Sequence, residues 1–182
     1  EYLPGGFDVG YGRAASGIVS LTTRAGGDTH QQAELSGNDT SLLAQGTEGR
    51  ARYMVSVRRS VIDFLLPALL PDDLDLALTT VPRFYDEQVR LDYALSQKWT
   101  LRVSSIGSDD AMELYASRDK NADKRFLDRT RFIRLTTAAR YHDGPWTANL
   151  AVSSIAQEHV MERGVEQHYN VQSPTGTARA EI

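Results

Sequence analysis

The residues of this chain with the most chemical capacity are its aspartates, histidines and arginines, and nothing in their spacing demands catalysis. Asp72-Asp73 and Gly107-Ser108-Asp109-Asp110 each set two carboxylates side by side, as general acid–base work or calcium would use. Neither sits in a Gly-centred loop with a terminal Glu at calcium spacing, so solvated loop charge is the expectation at both. His30, His142, His159 and His168 are too scattered for a metal signature. His159-x-x-Glu162 and Glu166-x-His168 could touch a ligand from a loop, with solvated surface the plainer reading. Gly10-x-Gly12 with Gly17 downstream has the wrong spacing for a dinucleotide fingerprint, and no Gly-x-Ser-x-Gly occurs. The chain has no cysteine, which removes disulfides, thiol catalysis and thiolate-bound metal. No catalytic residue, metal or cofactor is assigned.

Arginine is different. Arg52, Arg58, Arg90, Arg102, Arg134 and Arg140 all fall in stretches where apolar and polar residues alternate, always on the polar side. Such alternation has the period of a β-strand with two unlike faces. The six arginines would then line one wet face and are the best ligand-facing candidates. For most of them cross-strand pairing, with Glu34 or Asp92 for example, is the expected role.

The elements that must carry them read as follows. Ala33 and Leu35 alternate with polar neighbours from Gln31 to Ser36, Asn38-Asp39 signals a turn, and 40–45 is a short return strand. Gly46 to Gly49 reads as the next turn. Strands are expected at 51–59, 86–95, 99–106, 130–141 and 146–155, antiparallel and joined as neighbours. Ser96-Gln97-Lys98 and His142-Asp143-Gly144-Pro145 are tight turns. Long excursions are expected at 60–84, 107–128 and 157–174. The first contains Phe64 to Pro71, apolar enough for a short helix but broken by two prolines. A further strand is expected to begin near Gly176. Tyr93, Trp99, Tyr141 and Trp146 stand beside the short turns on the apolar side, where an aromatic belt at a membrane interface would sit.

Bulk properties bound these readings. In 182 residues, 41% hydrophobic, no run approaches the ~20 apolar residues of a membrane helix. A mean hydropathy of −0.40 is still compatible with a transmembrane β-barrel, whose alternating strands average to a polar composition. Net charge −4 argues against nucleic acid as a partner.

The opening stretch is glycine-rich: Gly5-Gly6-Phe7, then Tyr11-Gly12-Arg13, Gly17-Ile18-Val19 and Thr23-Arg24-Ala25-Gly26. In this order and spacing it resembles the C-terminal end of the plug domain of TonB-dependent outer-membrane receptors. Ser20 stands where that family often has Asn. The resemblance implies an all-β fold: residues 1–27 as the end of a plug domain, and 28–182 as the N-terminal part of an antiparallel transmembrane β-barrel. About eight strands of a larger barrel would be present, and the chain reads as a fragment. It further implies that Tyr11, Gly12, Arg13 and Gly17 meet the barrel wall, with Arg13 paired to a wall carboxylate or solvated in the lumen. The implied function is energy-coupled uptake of a scarce solute, a siderophore or other large nutrient, with no bond made or broken. Its partners would be outer-membrane lipid, the inner-membrane TonB complex (through a segment N-terminal to this one) and an unknown solute ligand. The location would be the cell outer membrane. The alternatives are another outer-membrane barrel, an adhesin or small barrel enzyme, and a soluble all-β binding module.

Overall fold

A computed structural model describes residues 2–5, 17–19, 22–23, 25–69, 82–115, 125–164 and 167–182. It is an all-β structure, with one short helix among the described residues. A two-residue pair, β1 (Tyr2–Leu3) and β2 (Ile18–Val19), forms a small antiparallel sheet of its own. The Tyr2 ring lies over Gly17 so closely that a Cβ there would fall 2.9 Å from it. The other strands belong to one antiparallel sheet in which sequence neighbours are spatial neighbours.

That sheet runs β3 (His30–Leu35), β4 (Asp39–Glu48), β5 (Ala51–Ser60), β6 (Arg83–Ala94), β7 (Trp99–Tyr115), β8 (Arg125–Asp143) and β9 (Trp146–Arg163). Two further segments, β10 (Gln167–Gln172) and β11 (Thr175–Glu181), both pair with β9. Gln172 faces Glu158 and Thr175 faces Ile155, so the register is unbroken between them. Ser173 N–H donates to the Gln157 carbonyl at 2.9 Å, and Pro174 has no N–H to give. β10 and β11 are thus one strand nicked by a proline, and the sheet has eight strands from β3 onward. Among the described residues it is open: β3 pairs only with β4, and β10–β11 only with β9.

All five strands expected from alternation are present as antiparallel neighbours. Three expectations need correction. The turn placed at Gly46–Gly49 is the pair Gly49–Arg50, where Gly49 takes φ 56°. Gly46 is a strand residue, and a Cβ on it would fall 2.8 Å from the Tyr53 hydroxyl. The excursion expected over 107–128 is largely strand, since β7 continues to Tyr115 and β8 begins at Arg125. Likewise 157–174 is not a loop: β9 reaches Arg163, Gly164 turns the chain at φ 63°, and Gln167 resumes the ladder. The strict alternation of short and long connections is therefore relaxed. One end of the sheet has only tight turns, at 49–50, 95–98 and 144–145; the other has two short ones, at 36–38 and 164–166, and two long ones. At the tight turns Gly144 takes φ 57°, and Ser96 Oγ accepts from the N–H groups of Lys98 and Trp99 at 3.2 and 3.1 Å.

The short helix expected near Phe64 is α1 (Ile62–Leu69). Arg59 tethers it. Its guanidinium bonds Asp63 at 2.8 Å and the Tyr85 hydroxyl at 2.8 Å, and stacks over Phe64 at 4.2 Å. Replacing Arg59 with Ala should free α1 from β5 and β6 with the sheet intact. Hydrogen exchange over 62–69 should quicken while exchange in β5 stays slow; equal protection in both variants would count against the tether.

Candidate functional site

Register assigns every side chain to one of two faces. One face carries Tyr53, Val55 and Val57 of β5, Val89, Leu91 and Tyr93 of β6, and Leu101 and Val103 of β7. It continues through Ile133, Leu135 and Tyr141 of β8 and Leu150 and Val152 of β9. The other face carries all six arginines singled out from the sequence, with Ser104, Thr136 and Ser153 among them.

Burial then reverses what water-soluble proteins do. Among the described residues, the buried hydrophobic side chains are Met54 and Ala138, both on the arginine face. Ser60, Arg90 and Asp92, buried as well, belong to that same face. The apolar face is the open one: Leu91 is 40% exposed, Leu135 49% and Val152 55%. Sustained exposure of that much contiguous apolar surface requires an apolar environment or a partner.

The apolar band has limits along the strands. At the tight-turn end it closes in aromatics, with Trp99 opposite Tyr141 at a ring-centroid distance of 5.1 Å and Trp146 exposed nearby. From Tyr141 to Ile133 it extends about 27 Å along β8, which a strand tilt of ~40° reduces to roughly 20 Å, near the ~25 Å band of membrane barrels. Past Ile133 the same face turns charged. Arg129 Nε bonds Asp109 at 2.8 Å, and Arg131 pairs with Glu158 at 2.5 Å. A trough of about 880 Å³ runs along this boundary, lined by Leu42, Val57, Tyr85, Ile133, Arg131 and Glu158.

On the arginine face the best-organised group centres on Asp92, 2% exposed. Arg90 Nε bonds Asp92 Oδ2 at 2.6 Å, and Arg102 Nε bonds Oδ1 at 2.6 Å. Arg90 also donates through Nη1 to the carbonyl oxygen of Thr23, and to Thr23 Oγ1 at 3.1 Å. Thr23 belongs to the segment before β3, so this segment passes over the arginine face. Two more bonds hold it: Thr47 Oγ1 to the Gly27 carbonyl at 3.0 Å, and Gln45 Nε2 to the Asp28 carbonyl at 3.4 Å. Glycine is required at the crossing, because a Cβ on Gly26 would overlap the Tyr53 carbonyl.

The remaining arginines divide. Arg58 pairs with Asp86 across the β5–β6 ladder at 2.7 Å. Among the described residues, Arg52, Arg134 and Arg140 make no ion pair, and Glu34 is not a partner for any arginine. Tyr11, Gly12 and Arg13 lie outside the described residues, as do Asp72 and Asp73. Asp109 and Asp110 project to opposite faces and form no carboxylate pair; Asp110 accepts from Ser108 Oγ at 3.0 Å. His159 bonds Asp128 at 2.9 Å on the arginine face, and His168 approaches Glu162 on the other. Among the described residues no group of three His, Asp or Glu is placed to hold a metal ion. Nor is any helix there long and apolar enough to cross a membrane, which leaves a β-barrel crossing open.

The fold and its two faces define an antiparallel sheet of inverted polarity, apolar outside and ionic where it is covered. Comparison with protein-family models, with curated proteins and with solved structures finds no match for the chain.

Proposed function

We propose that this chain is part of a TonB-dependent outer-membrane receptor: the end of a plug domain over 1–27, and the first eight strands of a transmembrane β-barrel over 28–182. The observation that carries the reading is the inverted burial: the apolar face is open, and the buried side chains among the described residues lie on the arginine face. A bilayer would satisfy the open face, and a wet lumen the arginines. Two features add support. The described end of the glycine-rich segment, with Thr23, Gly27 and Asp28, crosses the arginine face, as a plug inside a barrel would, and is held there by Arg90, Thr47 and Gln45. Both sheet edges are open, so each can take a further strand toward a barrel of roughly 22.

On this reading the protein resides in the cell outer membrane, touches lipid along its apolar band and binds a solute from the long-connection side. Uptake follows when the inner-membrane TonB complex displaces the plug. The work is binding and gating. The strand count of eight also fits a small closed outer-membrane barrel, but there β3 would have to pair with β10–β11, and it does not.

Topology tests the proposal. With the protein expressed in a Gram-negative host, single cysteines at Gln97 and Lys120 report the two ends of the sheet to a membrane-impermeant reagent. Lys120→Cys should label on intact cells and Gln97→Cys only after lysis. The reverse pattern would invert the orientation, and labelling of both would remove the membrane.

A further inference from the structure

The charges around Asp92 do not balance. Asp92 stands on β6 with Arg52 opposite it on β5 and Arg102 opposite it on β7. Arg90 is two residues along the same strand, and Arg140 is the next residue on that face of β8 from Ala138, the partner of Arg102. Two guanidinium groups thus bond one carboxylate, and two more arginines occupy neighbouring positions of the same face. Another acid on this face, Glu181, is already paired with Arg179. Like charges at such spacing repel unless an anion lies between them.

The four arginines are not equivalent. Arg90 and Arg102 are committed to Asp92, and together they consume both of its oxygens. Arg52 and Arg140 are exposed and, among the described residues, make no ion pair. An exposed guanidinium presents a planar fork suited to carboxylate or phosphate oxygens.

We propose that this cluster is a binding site for a diffusible oxyanion, a solute bearing phosphate or carboxylate groups. Asp92 anchors Arg90 and Arg102 in place, and Arg52 and Arg140 close on the anion from the flanking strands. The inference stands on register and charge, so it holds whether or not the sheet spans a membrane. Its failure would leave the lipid-facing assignment untouched.

The test is titration of the purified full-length protein with inorganic phosphate, against sodium chloride at matched ionic strength, read by calorimetry. Phosphate should bind where chloride does not. Arg140→Gln and Arg52→Gln remove exposed charges that, among the described residues, make no ion pair, so both variants should fold. Each should weaken phosphate binding roughly tenfold, the loss of one charge-assisted contact. Lys98→Gln, which removes a positive charge from a tight turn, should bind as the unaltered protein does. Absence of any phosphate-specific heat, or equal binding in all four proteins, would overturn the proposal.

Discussion

Arginine in place of Leu91 or Leu135 should abolish or sharply reduce insertion into the outer membrane, while arginine in place of Ser104 or Thr136 should leave it near normal. The two sets occupy similar heights on neighbouring strands: Leu91 faces Val103, Leu135 faces Ser105, and Ser104 faces Thr136. They differ only in which face they point from. A cation placed in hydrocarbon near the bilayer midplane costs ~2–4 kcal/mol, and one facing a wet lumen costs little. Insertion is read from the heat-modifiable fraction in purified outer membranes. Equal defects on both faces would mean that the apolar side is covered by protein instead of lipid.

The second large effect is expected at Asp92. Asparagine there keeps the shape but removes the carboxylate that Arg90 and Arg102 share. Arg90 has a side chain 5% exposed, so its charge cannot recover hydration in place. Breaking a buried pair from one side costs about 3–5 kcal/mol, less here to the extent that water reaches Arg102. The midpoint of urea unfolding should fall accordingly, and exchange over 22–28 should quicken as Arg90 loosens from Thr23. Adding Arg90→Gln to Asp92→Asn should recover part of the loss, because the uncompensated charge is then gone. A stability change within about 0.5 kcal/mol, as for ordinary surface substitutions, would show that the cluster is solvated.

These predictions rest on what alternation makes legible. Val55, Leu91, Val103 and Leu135 share a face because a strand repeats every two residues, and no tertiary knowledge is needed to see it. The same rule put all six arginines together before any pairing was known. Stretches 107–115 and 157–163 were illegible for a physical reason. Their alternation is blurred by charge, which locally reads as loop, yet Asp109 and Arg131 find Arg129 and Glu158 near them across the sheet. A ladder of ion pairs holds those strands, and its partners are about 20 or more residues away in the chain. Glycine misled in a similar way. Gly46 and Gly49 look alike in sequence, but one makes room for the Tyr53 ring and the other turns the chain. At the cluster, Asp92 was visible only as a possible partner. Its burial depends on Thr23 and Gly26, from a segment some 65 residues earlier, arriving over the same face. Arg13 lies outside the described residues; among those described, Thr23 meets the sheet at Arg90.

The most direct test of the inverted sheet is a spin-label scan along β7. The chain has no cysteine of its own, so single cysteines from Trp99 to Gly107 can each carry one label in the reconstituted protein. Accessibility to oxygen dissolved in lipid should rise at 101, 103 and 105 and fall at 102, 104 and 106, with the opposite pattern for a water-soluble nickel chelate. That two-residue oscillation, in opposite phase for the two reagents, is the predicted result. Oscillation with the phase exchanged, or high nickel accessibility on both faces, would contradict the assignment of the apolar face to lipid.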